Sequence, residues 1–175
     1  MSQRRSVRPK RPVHESGQAV VEFAMIATLL LILLCASIDF GRALNYVQGL
    51  IELTRQGSML ASRGSTLKQA ASAVIAGESS LDLVHNGEVI ITAVTNKKNV
   101  DTITDQTSQG GISRSSQIGT GVGALATVPA SASGILQPGQ TIYITEVFYT
   151  FEPITPVGNL TSVMMPSTLY EAAYF

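Results

Sequence analysis

The sequence is poor in cysteine, histidine and tryptophan, and each shortage excludes a class of protein. Among 175 residues there are one cysteine, two histidines and no tryptophan. The single thiol, Cys35, excludes an internal disulfide framework and a zinc site built from cysteines, because both need several thiols. The two histidines, His14 and His85, offer little material for acid–base catalysis. Lys plus Arg and Asp plus Glu number 12 each, so the chain has no net charge to attract nucleic acid.

The charges are unevenly distributed around a long apolar segment, Ala19–Ile38. Residues 1–17 hold five basic residues and one acidic residue, whereas the apolar segment holds one charge, Glu22. A helix of this length spans about 30 Å, the thickness of the hydrocarbon core of a bilayer. We therefore expect a transmembrane helix over residues 18–39. The basic flank places the N-terminus in the cytoplasm and the rest of the chain outside.

The helical pattern continues past the apolar segment as an amphipathic extension over residues 40–62. Apolar residues recur there at spacings of three and four, and polar residues fill the opposite face. Gly64 is the expected terminator. A second helix is predicted from Thr66, where Thr-Leu-Lys-Gln has the spacing of a capping box, to Gly77. Three glycines are weak points of the long helix: Gly41, Gly49 and Gly57.

Strands are predicted after the second helix. Three segments are rich in β-branched and aromatic residues: 88–95, 141–151 and 168–175. Asn86-Gly87 indicates a type I′ hairpin turn, with residues 81–84 as a short partner strand. Residues 107–139 are rich in Gly, Ser, Thr and Ala, which predicts a flexible loop. The expected fold of residues 63–175 is an extracytoplasmic α+β domain with a small antiparallel sheet packed on the amphipathic helix.

Glu22 is unusual, because a carboxylate inside a membrane helix costs up to about 3 kcal/mol at the bilayer centre. A positive group at the helix N-terminus would compensate it. Cleavage after Gly17 would create such a group, a new α-amine on Gln18.

These residues carry a resemblance to known families. Gly17, Gln18, Glu22 and Phe23, followed by the apolar segment, resemble the class III signal that a prepilin peptidase cleaves in type IV pilin-like proteins. The chain also resembles the TadE/TadG family of pseudopilins from tight-adherence (Tad/Flp) pili, in the spelling GQAVVEFAMIATLLLILLCASIDFGRALNYVQGL. The resemblance covers residues 17 to about 62. Its most specific parts are Glu22-Phe23 and Phe40-Gly41-Arg42.

The resemblance implies a minor pilin in the bacterial inner membrane with a periplasmic domain. It implies that residues 1–17 form a cytoplasmic leader removed by the peptidase, and that Glu22 sets register by pairing with a neighbour's N-terminal amine. The implied partners are membrane lipid, the prepilin peptidase, other pilins and the inner-membrane platform that assembles a pilus for surface attachment. No nucleic acid, metal or cofactor is expected.

Two alternatives of other kinds remain. The first is an uncleaved single-pass envelope protein whose periplasmic domain binds a partner. The second is a periplasmic enzyme behind an anchor, which would depend on His85, but no Gly-x-Ser-x-Gly elbow accompanies that histidine and an enzyme is not expected. A secretory signal ending near Ala36 and Ser37 is disfavoured, because the helical pattern continues past it.

A metal site is a further hypothesis for Asp82, His85 and Glu88, which are spaced by three as ligands on a helix would be. The β-branched residues that follow Glu88 favour a strand instead. The sequence therefore predicts that the three side chains are solvated and flank the Asn86-Gly87 turn.

Overall fold

The computed structural model describes residues 15–77, 81–128, 136–156, 158 and 166–175, and they form the predicted α+β fold. Most of the predicted leader and residues 129–135 of the predicted loop lie outside this range. The elements are α1 (Glu15–Ser62), α2 (Leu67–Gly77), α3 (Leu83–Asn86), β1 (Gly87–Lys97), β2 (Val100–Gly110), β3 (Thr141–Thr150) and β4 (Thr168–Tyr174). We call the sheet, α2, α3 and residues 40–62 of α1 the body.

The long helix α1 is one unbroken element of 48 residues, about 72 Å in length. It ends at Ser62, and its terminator two residues later is Gly64, whose φ of 95° is accessible to glycine at little cost. The N–H of Gly64 donates to the carbonyl of Ala61, and the N–H of Ser65 donates to that of Leu60, both at 3.2 Å. This pair of bonds is a Schellman motif, so the predicted terminator is confirmed.

The helix α2 begins with the predicted capping box. The backbone N–H of Thr66 donates to the Gln69 side-chain oxygen at 3.2 Å, and the N–H of Gln69 donates to the Thr66 hydroxyl at 3.3 Å. Four buried residues of α2 join the main core: Leu67, Ala70, Ala71 and Val74.

The four strands form one antiparallel sheet in the order β2-β1-β3-β4. One face packs on α1 and α2 through alternate residues such as Val89, Ile91 and Val147, which contribute to the same core as Leu50 and Leu53. On the opposite face a smaller apolar cluster joins Val94 and Ile144 of the strands to Ile118 and Leu136. Both faces of the central strands are therefore buried.

Close approach of α1 to the sheet depends on a glycine. A Cβ placed on Gly57 would lie 2.8 Å from side-chain atoms of Thr145 and 2.9 Å from Val74. The same test on Gly41 finds no atom within 4 Å among the described residues. Of these two predicted weak points, one is therefore a packing requirement, and neither breaks the helix.

The predicted hairpin at Asn86-Gly87 is wrong. Residues 83–86 form the short helix α3, because Asp82 caps it by accepting from the N–H of His85 at 3.2 Å and because Leu83 is buried. The tight turn lies at Lys98-Asn99 instead, where both residues have positive φ, 54° and 66°, as a type I′ hairpin requires.

The sequence prediction also missed strand β2, and the predicted loop overlaps its last four residues. β2 is an edge strand of mostly polar residues that pairs with β1 along its whole length. Residues 123–126 then run along its outer side, where the N–H of Ile103 donates to the carbonyl of Ala124 at 2.9 Å. The irregular segment begins after Gly110, not at Thr107.

Candidate functional site

The apolar segment of α1 stands clear of the rest of the structure. Its most apolar window has a mean hydropathy of 2.6, and none of that window is buried within the described residues. Large apolar side chains are exposed all around it, among them Phe23 at 72 %. A helix that is apolar on every side needs lipid or other helices around it. The segment is thus long and apolar enough to serve as a single-pass membrane anchor.

The four predicted site residues lie together in the first turns of α1, away from the body. No atom of the described residues lies within 4 Å of the place where a Gly17 Cβ would be, and the side-chain amide of Gln18 donates to a Glu22 carboxylate oxygen at 2.9 Å. About 25 Å of helix separates Glu22 from Asp39, the first residue held by the body. All four are exposed, and none of them packs on the described residues of the body.

A buried carboxylate, Asp39, joins the end of the apolar segment to the body. Asp39 is fully buried, and one of its oxygens accepts from the backbone N–H of Ile154 at 3.1 Å. The other oxygen accepts from the hydroxyl of Thr155. We call this contact, together with Arg42 and residues 151–155, the junction.

One helical turn further along α1, Arg42 contacts the same loop, residues 151–155. Its guanidinium lies 5.4 Å from the ring centre of Tyr46 and 5.8 Å from that of Phe151. It donates to the Tyr46 hydroxyl at 2.8 Å and reaches the carbonyl of Glu152 at 3.5 Å. In the Phe40-Gly41-Arg42 motif, the arginine therefore holds residues 151 and 152 against α1, while Phe40 stays exposed.

Aromatic side chains fill the space beside the junction. Tyr46 meets Tyr149 and Phe151 edge to face, with ring centres 5.4 and 5.8 Å apart. Tyr149 and Phe151 are buried in the main core. Here the aromatic residues around the end of β3 serve as sheet core.

Two buried glutamates on the opposite sheet face were not foreseen. Glu146 is fully buried and accepts from the Gln117 N–H at 2.8 Å, from the Tyr170 hydroxyl at 3.0 Å and from the Ser116 hydroxyl. Glu88 accepts from the N–H of Arg114. The segment after β2 thus lies over the sheet because it supplies the donors that these carboxylates need.

Burial raises the pKa of the Glu88 carboxyl above its ordinary value, and the hydrogen bond from the Arg114 N–H offsets part of this rise. Burial also raises the pKa of the Tyr170 hydroxyl, and the nearby Glu146 carboxylate raises it further. Both shifts mean that folding stabilises the neutral form of the group relative to its charged form.

The hypothetical metal ligands are not brought together. Asp82 and His85 form an exposed pair at 2.9 Å within one helical turn. Glu88 is buried on β1, so the expectation that it is solvated is wrong. As a strand residue, it lies on the sheet face that the irregular segment after β2 covers, where the Arg114 N–H donates to it. Among the described residues, no group of three His, Cys, Asp or Glu side chains could hold a metal ion.

Comparison with known proteins locates a family relationship in α1. Residues 17–59 match the TadE-like protein family. The match covers the predicted site residues, the apolar segment and the helical half of the junction, and it confirms the resemblance predicted from the sequence. No curated protein and no solved structure matches the chain.

Proposed function

We propose that the protein is a minor pilin, or pseudopilin, of a tight-adherence pilus used for surface attachment. The observation that carries the proposal is the exposed apolar segment within a TadE-like helix. Such a helix can be held by lipid before assembly and by the helices of other pilins afterwards. The basic flank favours a cytoplasmic N-terminus. The body then lies in the periplasm, and the anchor contacts the inner-membrane assembly platform.

Maturation by a prepilin peptidase would cut between Gly17 and Gln18 and release residues 1–17. The open space around Gly17 supports this step, because packing among the described residues does not require a glycine there. Glycine also weakens a helix by about 1 kcal/mol relative to alanine, which eases unwinding of the bond to be cut. The need for a small residue would then come from the peptidase.

After the cut, Glu22 would pair with an N-terminal amine. In the intact chain Glu22 is paired with the Gln18 side chain. Cleavage adds a positive α-amine at Gln18, and the carboxylate of one subunit would bind the amine of the next. In a low-dielectric fibre core this ion pair fixes the axial register between helices, since an unpaired carboxylate is costly there.

The register role is tested by Glu22→Ala, scored by the fraction of protein recovered in sheared pili and by the fraction in membranes. We expect normal membrane insertion and a loss from the pilus fraction. Glu52→Ala, which removes an exposed carboxylate from the body part of α1, is the matched control and should assemble normally. Normal assembly of Glu22→Ala would refute the register role.

A second candidate function is a permanent anchor carrying a periplasmic partner-binding domain. One observation favours it: α1 is already helical from Glu15 through Gly17 and Gln18, and a peptidase must unwind a helical bond before cutting it. Persistence of residues 1–17 in the mature protein distinguishes this function from that of a pilin.

A further inference from the structure

The junction fixes the position of one loop, residues 151–155, along the axis of α1 relative to the apolar segment. Both oxygens of Asp39 accept from residues 154 and 155, so this loop lies level with the residue that directly follows Ile38. Arg42, about 4.5 Å further along the helix axis, contacts residues 151 and 152. The chain after β3 therefore descends along α1 towards the apolar segment as it goes from Phe151 to Ile154.

At the lowest of these points the loop presents an apolar side chain to the outside. Ile154 is 65 % exposed although its own N–H is held by a buried carboxylate. The helix exposes Ile38 and Phe40 on either side of Asp39. Pro153 and Pro156 restrict the backbone on either side of Ile154, which limits the conformations open to this loop.

We infer that Ile154 enters the bilayer at the boundary between lipid headgroups and acyl chains, as a second membrane contact beside the anchor. If the apolar segment fills the hydrocarbon core of about 30 Å, its last residue lies at that boundary, and Ile154 lies within about one helical turn of it. The inference rests on the anchor role of α1 in the proposed function.

A second membrane contact, at Ile154, restricts the orientation of the body relative to the bilayer. A single helix leaves the body free to rotate about the helix axis and to tilt. With Ile154 in the lipid and its backbone bonded to Asp39, the body has a fixed face towards the membrane, and the opposite end of the sheet points away from it.

The test uses full-length protein with Cys35→Ala, in phosphatidylcholine–phosphatidylglycerol vesicles that contain lipid spin-labelled near the headgroup. An environment-sensitive fluorophore is attached to the thiol introduced by Ile154→Cys, Val122→Cys or Leu30→Cys. Val122 is the matched control: it is an equally exposed aliphatic residue, at 69 %, and its neighbour Gly123 bonds to Ile103 at the opposite end of the sheet. Leu30 reports on the anchor itself.

We expect the label at 154 to be quenched by the spin-labelled lipid several-fold more than the label at 122, and to be shielded from aqueous iodide. Equal quenching at 154 and 122 overturns the inference. If the label at 30 is still protected from iodide in that case, the anchor stands and only the loop contact is lost. If the label at 30 is also open to iodide, the anchor role fails as well.

Asp39→Ala in the same labelled chains tests what positions the loop. It should reduce quenching at 154 and leave the label at 30 protected. Unchanged quenching at 154 in Asp39→Ala would contradict the role assigned to the Asp39 bonds.

Discussion

The backbone N–H of Thr145 donates to the hydroxyl of Ser58 at 3.1 Å, across 87 residues of chain. The same hydroxyl donates to the carbonyl of Ala173 at 2.7 Å, so a helix side chain bridges two paired strands, β3 and β4. This contact and the Asp39–Ile154 bond mark two positions along the axis of α1. The helix between them measures about 28 Å and the extended chain between Thr145 and Ile154 about 30 Å. β3 and its continuation therefore run alongside α1 in the opposite direction, down to the membrane end of the body.

Removing the carboxylate at the junction should destabilise the body. Asp39→Ala removes the acceptor of two partly buried hydrogen bonds, from the Ile154 N–H and the Thr155 hydroxyl, and a bond to a charged group contributes about 1.5–3 kcal/mol. The measurement is denaturant unfolding of the full chain in detergent, followed by the near-ultraviolet circular dichroism of tyrosine, because all five tyrosines lie in the body. Glu52→Ala is the control on an exposed carboxylate. Equal unfolding free energies for Asp39→Ala and wild type would show that the junction does not hold the body.

Two glycines of α1 should respond to alanine in opposite directions. Gly57→Ala forces a Cβ to 2.8 Å from Thr145, and overpacking of this kind costs about 1–3 kcal/mol. Gly41→Ala meets no neighbour among the described residues, and alanine stabilises a helix interior by about 0.5–1 kcal/mol. Thermal unfolding of both variants in detergent checks this prediction. A Gly57→Ala variant as stable as Gly41→Ala would contradict the close approach of α1 to β3.

The buried Glu88 should make the body less stable as the pH rises. Because burial raises its pKa, the folded state holds more protons than the unfolded state between the ordinary and the raised pKa. The stability that Glu88 contributes is therefore fully present below its ordinary pKa and is lost as the pH rises through the raised pKa.

Glu88→Gln removes this titration and keeps an oxygen for the Arg114 N–H, so unfolding free energies measured from about pH 4 to pH 8 should fall less steeply than in wild type. Glu171, whose pKa burial also raises, remains in both proteins. Identical pH profiles for Glu88→Gln and wild type would rule out Glu88 as the source.

Local patterns in the sequence were sufficient to predict α1, its end at Gly64, the capping box at Thr66 and strands β1, β3 and β4. Each of these predictions depends on a pattern among residues a few positions apart, such as the spacing of apolar residues in a helix or a run of β-branched residues in a strand. β2 was missed because an edge strand of polar residues has the composition of a loop. The Asn86-Gly87 turn was wrong because burial of Leu83 and the cap from Asp82 favour a helical turn there.

The long-range polar contacts could not be predicted from patterns of this kind. Asp39 accepts from donors 115 and 116 residues away, and Glu146 accepts from two donors in the irregular segment after β2. Buried carboxylates offer no period or spacing that identifies their partners. The assignment of Gly17, Gln18, Glu22 and Phe23 as site residues stays a prediction, which rests on local offsets in the sequence.

The most direct measurement is the intact mass and N-terminal sequence of the protein from its own membranes, with the prepilin peptidase present and then deleted. A pilin-like protein starts at Gln18 when the peptidase is present and retains residues 1–17 when it is deleted. Because no described residue packs against Gly17, substituting it with a bulky residue should leave the body folded, and the size of the new side chain should block cleavage. A start at Met1 or Ser2 in both strains contradicts maturation and favours the permanent anchor. A start near Ile38 would mean a secreted protein without the apolar segment, which contradicts the pilin function.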